Sequence, residues 1–70
     1  MELFGIKEDY IQLNQLLKAM NWCNDGAEAN FLIDEGKVKV NGITELRRRN
    51  KIVPGTIVEM EGKKVQVVQK

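Results

Sequence analysis

The chain has 70 residues, 43% of them hydrophobic and 30% charged, a net charge of +1, one cysteine and no histidine. That balance belongs to an ordinary folded protein and excludes a disordered polyelectrolyte; a chain this short buries only about 60% of its unfolded surface, so residues 1–70 are expected to form one small domain with a modest core. Cys23 without a second cysteine cannot form an internal disulfide, and without histidine neither a zinc site nor the usual base for a Ser or Cys nucleophile is available.

Taken in chain order, "ELFGI" (Glu2–Ile6) is rich in strand formers and reads as a strand. It has neither the basic start nor the long apolar stretch of a signal peptide, and no apolar run is long enough to span a membrane. A cytoplasmic location is therefore expected. Leu13, Leu16, Leu17 and Met20 fall on one stripe of a helix predicted over 12–21, with Lys18 turned toward water. Asn24 or Asp25 can cap a second helix over about 25–35, and Glu28 completes the spacing of a capping box. Gly36 then suits the left-handed residue that ends such a helix. A turn of about four residues joins the two helices, which sets them side by side.

After Gly36 the period changes to two. Val38 and Val40 point one way, Lys37 and Lys39 the other. Asn41-Gly42 is a strong hairpin signal, because a type I′ turn needs positive φ at both central residues. Ile43 and Thr44 begin the return strand, and "RRRNK" is a charged loop or an extended segment. Pro54-Gly55 marks a turn, "IVEM" and "KVQVV" are strands, and "EGK" turns between them. The expected fold is α+β: two packed helices followed by a small antiparallel sheet, with an extra N-terminal strand. Its core is expected to hold Leu13, Leu16, Leu17, Met20, Ala29, Leu32, Ile33, Val38, Val40, Ile52, Ile57 and Val67. Cys23 reads as a small buried side chain, and Trp22, Tyr10 and Phe31 as packing aromatics, with Phe4 anchoring the first strand.

The near-neutral total conceals a segregation of charge. Residues 1–36 carry two lysines and seven acids, a net −5, whereas residues 37–51 carry six Lys/Arg and one acid, Glu45, a net +5. Crowding like charges is costly unless a polyanion neutralises them, and arginine forks onto phosphate oxygens and stacks on bases in ways lysine does not. If 47–51 is extended, Arg47, Arg49 and Lys51 share a face. Asp34 and Glu35, adjacent on a helix, do not face each other and make no catalytic pair. Gly36, Gly42 and Gly55 are spaced for turns, not for a phosphate loop.

"LNQLLKAMNWCNDGAEANFLIDEGKVKVNG", followed by "VPGTIVEM", resembles the S-four-type RNA-binding domain, whose helix–helix–hairpin core is the alpha-L motif. The resemblance spans about Ile11–Met60, and the extra N-terminal strand is similar to that of the short stand-alone bacterial branch. It implies a non-enzymatic module, without cofactor or metal. The module would bind structured RNA, ribosomal or transfer RNA, as a monomer and in association with the ribosome. Position by position it implies RNA contacts from Lys18 on the first helix, from Lys37, Lys39 and Asn41 on the hairpin, and from Arg47, Arg48, Arg49 and Lys51. The second helix departs from the family, with Asp25 and Glu28 at its start and Asn30 where a basic residue is common. The contact is thus expected to shift toward 37–51. The alternative is a protein-interaction module that docks this basic stretch on an acidic ribosome-associated or RNA-modifying partner.

Overall fold

Leu13, Leu16 and Leu17 are fully buried, so the apolar stripe read from the sequence is the inner face of the first helix. The computed structural model describes all residues, Met1–Lys70. In chain order its elements are β1 (Glu2–Ile6), β2 (Ile11–Gln12), α1 (Leu13–Ala19), α2 (Gly26–Asp34), β3 (Val38–Val40), β4 (Ile43–Thr44), β5 (Lys51–Ile52), β6 (Ile57–Met60) and β7 (Lys63–Gln69). The two helices pack against one face of a five-stranded sheet of order β1-β7-β6-β3-β4, and β2 pairs with β5 in a separate two-stranded ladder. No helix is long and apolar enough to cross a membrane.

Helix α1 is shorter than the stripe suggests, because Ile11 and Gln12 are extended and pair with Ile52 and Lys51. It ends where Asn21 takes φ 59°, and its last carbonyls accept from the turn: Asn21 N–H donates to Lys18 and Trp22 N–H to Leu17. That Schellman arrangement usually uses glycine; asparagine is the other residue that tolerates it. It lengthens the connection to residues 20–25, so the helices are not joined by a four-residue turn. Helix α2 is capped by Asp25 as expected, its carboxylate accepting from Glu28 N–H at 2.8 Å, but the Glu28 side chain accepts from Asn24 N–H at 2.6 Å, one residue ahead of the cap, and not from Asp25 N–H. It ends at Gly36, φ 74°, through the same pair of bonds, from Gly36 to Ile33 and from Lys37 to Leu32.

The sheet is built from two tight hairpins. Asn41-Gly42 has positive φ at both residues, as a type I′ turn requires. So does Glu61-Gly62, where a glutamate occupies the left-handed region. Val53–Thr56 forms a turn closed by Thr56 N–H to the Val53 carbonyl, with Gly55 at φ 97°. Gly55 donates to Val67 and Val67 donates to Thr56, so two residues face one in a glycine bulge. The bulge sets the parity of β6. Thr56, Val58 and Met60 point inward, and Ile57, expected in the core, is half-exposed on the outer face.

The core comprises Ile6, Leu13, Leu16, Leu17, Cys23, Ala29, Ile33, Val38, Ile52, Val58, Met60, Val65 and Val67. Met20, Leu32, Val40, Phe4 and Trp22 pack against it partly buried. Tyr10 and Phe31 do not join it: they are 39% and 60% exposed. Phe31 lies one turn before Asp34 on the outward face of α2, where the inner positions Ala29 and Ile33 already fill the helix contact. The hairpins are antiparallel, but β1 joins the edge in parallel with β7, from Glu2 beside Val65 to Ile6 beside Gln69, so the sheet is mixed.

Candidate nucleic-acid interface

The basic stretch is a loop held by its own main chain. Helix α1 has no side-chain cap at Gln12. Its first amides instead donate to the loop: Leu13 N–H to the Asn50 carbonyl at 2.9 Å and Asn14 N–H to the Arg48 carbonyl at 3.0 Å. Unpaired amides at a helix start must find acceptors, and here the loop supplies them. A turn at Arg47–Asn50, closed by Asn50 N–H to the Arg47 carbonyl, rules out an extended strand through 47–51.

One acid organises this turn. Glu45, whose side chain is only 15% exposed, accepts from the Arg47 backbone N–H and from Arg47 Nε, both at 3.0 Å, and from Asn50 Nδ2 at 3.1 Å. The Arg47 hydrogen bond holds the Glu45 carboxyl below the usual carboxylate range and raises the guanidinium. Arg48 turns the other way and forks onto both oxygens of Asp34 at the end of α2. That contact lowers Asp34 and raises Arg48 in the same manner.

With Arg48 drawn aside, Arg47, Arg49, Asn50 and Lys51 line a shallow groove of about 380 Å³ that contains no acid and no apolar side chain. The expected common face of Arg47, Arg49 and Lys51 is thus present, but a turn creates it and not strand alternation. Lys51 Nζ also sits over the Tyr10 ring, 5.1 Å from its centre. A second depression, of about 520 Å³, adjoins on the Tyr10 side and is lined by Glu8, Tyr10, Ile11, Gln12 and Gln15.

The other residues singled out from the sequence are not in this groove. Lys37 and Lys39 alternate with the buried Val38 and face away from the helices, with Lys39 beside Glu59 on the next strand. Asn41 serves the fold: its side-chain oxygen accepts from Ile57 N–H at 2.9 Å, and its own N–H donates to the Ile57 carbonyl. Lys18 is exposed on α1, one turn beyond Asn14. Asn14 Nδ2 donates to Asn30 Oδ1 at 3.1 Å, which ties the two helices together and leaves Asn14 Oδ1 without a partner. The cations of residues 37–51 therefore fall into two groups, the groove and the outer sheet face, with Arg48 apart on the helical side. Tyr10, Glu45, Asp34 and Asn50 complete the arrangement. Sequence spacing carried no signal for Tyr10, which meets Lys51 only because β2 pairs with β5.

Two helices on a mixed sheet, with a cation-lined loop pinned to the start of the first helix, define a small α+β module of the alpha-L type. The chain belongs to the S4 domain family, whose model matches residues 4–68. It is 47% identical over 62 residues to YbcJ of Escherichia coli K12 and to YbcJ of Shigella flexneri, covering 89% of this chain and 89% of each relative. The solution structure of E. coli YbcJ superposes with a TM-score of 0.74 at 45% identity, over 97% of this chain and 87% of that one. That structure is described as revealing an alfaL motif involved in RNA-binding.

Proposed function

We propose that the chain binds structured RNA, ribosomal or transfer RNA, in the cytoplasm and without catalysis, by gripping the sugar–phosphate backbone in the groove of Arg47, Arg49, Asn50 and Lys51. The observation that carries this reading is the convergence of Arg47, Arg49 and Lys51 on one groove of a loop fixed by hydrogen bonds to α1, with Glu45 engaging Arg47 and leaving Arg49 and Lys51 without an acidic partner. Guanidinium forks match phosphate oxygens, and counterion release drives the association. Lys18, Lys37, Lys39 and Asn41 are proposed as outlying contacts on a longer RNA, and Arg48 as one that must exchange Asp34 for phosphate. The RNA-binding motif of YbcJ supports the reading. Titration of a structured RNA over a series of salt concentrations tests it: about four neutralised phosphates give a slope of log K against log salt near −3. Absence of binding at low salt, or a flat salt dependence, removes the proposal.

A second reading has one specific observation in its favour. Arg47 and Arg48 already hold carboxylates of their own chain, so the same loop suits an acidic protein partner, ribosome-associated or RNA-modifying. Pull-down before and after nuclease treatment separates the two: partners retained after nuclease favour the protein, partners lost favour RNA.

A further inference from the structure

The groove has a neighbour of different chemistry. The depression lined by Glu8, Tyr10, Ile11, Gln12 and Gln15 holds one carboxylate and no cation, while the groove is lined by three cations, of which only Arg47 meets a carboxylate, that of Glu45. Residues of the two meet across the β2–β5 ladder. Gln12 and Lys51 are cross-strand partners, and the Lys51 ammonium stands over the Tyr10 ring. Tyr10 directly precedes β2 and is 39% exposed, so part of its ring is offered to solvent beside the paired strands.

We infer that this depression receives an unpaired nucleobase, stacked on Tyr10, from a strand whose phosphates lie in the cationic groove; the inference rests on the RNA-binding reading above. A phosphate is repelled by Glu8, whereas a neutral base is not. An aromatic ring supplies a stacking face to any base, and the Gln12 and Gln15 amides, each both donor and acceptor, can meet its polar edge. Lys51 places a positive charge at the boundary, where sugar–phosphate gives way to base. The consequence is selectivity: the protein prefers RNA with an unstacked nucleotide beside a helix over a continuous duplex of equal charge.

The test uses the full chain and two RNA hairpins of equal length, one fully paired and one with a single bulged 2-aminopurine. The expected result is that the bulged hairpin binds about tenfold tighter, within the range for one base stacked on an aromatic side chain, and that its fluorescence is quenched on binding. Tyr10→Ala then brings the affinities for the two hairpins together and abolishes the quenching, and Tyr10→Phe retains both preference and quenching. Gln15→Ala, at an exposed position, provides a second variant that reduces the preference if Tyr10→Ala melts early. Equal affinity of the wild type for both hairpins, or a preference that survives in Tyr10→Ala, overturns the inference and leaves the depression to a protein side chain. Binding of neither hairpin by the wild type overturns the RNA reading itself, and so is distinguished from failure of the base pocket alone.

Discussion

At the scale of single residues, the side chains that do most for this fold are those that satisfy backbone groups. Asp25 accepts from Glu28 N–H at the exposed start of α2. Asp25→Ala should cost about 1 kcal/mol, read as a lower midpoint in urea with an unchanged m-value. Glu45 plays the equivalent part for the basic loop. Because Arg47 lowers its pKa, as Arg48 does that of Asp34, these contacts stabilise the folded state above the unfolded carboxylate range, about pH 4, and the stabilisation is lost as pH falls through the lowered folded values. Melting temperature should therefore drop on acidification from pH 6 to pH 3, and Glu45→Gln should flatten part of that drop. The effect is small, since the Arg48–Asp34 pair is open to solvent and Glu45, though largely covered, meets an exposed Arg47. Cys23, buried among core side chains, has its thiol pushed up chiefly by burial, so alkylation at neutral pH should be slow until the chain unfolds.

At the scale of elements, each turn commits its flanking strands to a register. Glu61 is the one place where local preference and structure disagree, because an ordinary side chain takes φ 49° ahead of Gly62. Glu61→Asn should stabilise the β6–β7 hairpin by roughly 0.5–1 kcal/mol, visible as a raised melting temperature. The basic loop is an element of another kind. Its backbone is held by α1 and by Glu45, so an exposed arginine can be removed without freeing it. Arg49→Ala should weaken RNA binding and lower the salt slope by about 1, with stability within about 0.5 kcal/mol of wild type. A large loss of melting temperature would instead make Arg49 part of the scaffold.

At the scale of the whole molecule, the two chain ends close the structure: β1 lies parallel to β7, and Lys70 N–H donates to the Ile6 carbonyl. Leu16→Ala, at a fully buried site, should cost about 3 kcal/mol, a large share of what so small a core supplies, and should appear as a strongly lowered midpoint of thermal unfolding. What the sequence determined by itself is local in origin. The leucine stripe of α1, the Asp25 cap, Gly36, Asn41-Gly42 and Pro54-Gly55 each act within a few residues, through backbone torsion, capping or helical spacing, and each is realised. The concentration of positive charge after α2 is equally a matter of composition. What only the tertiary structure decided depends on partners far apart in the chain. The pairing of β2 with β5 shortened α1 and brought Tyr10 under Lys51. The bulge at Gly55 exchanged Ile57 for Val58 in the core. Asp34 and Glu45 drew Arg48 and Arg47 in different directions, so one run of arginines became a groove with an outlier. Spacing fixes the period of an element; contact between distant elements fixes which face meets which, and that is where the candidate site arises.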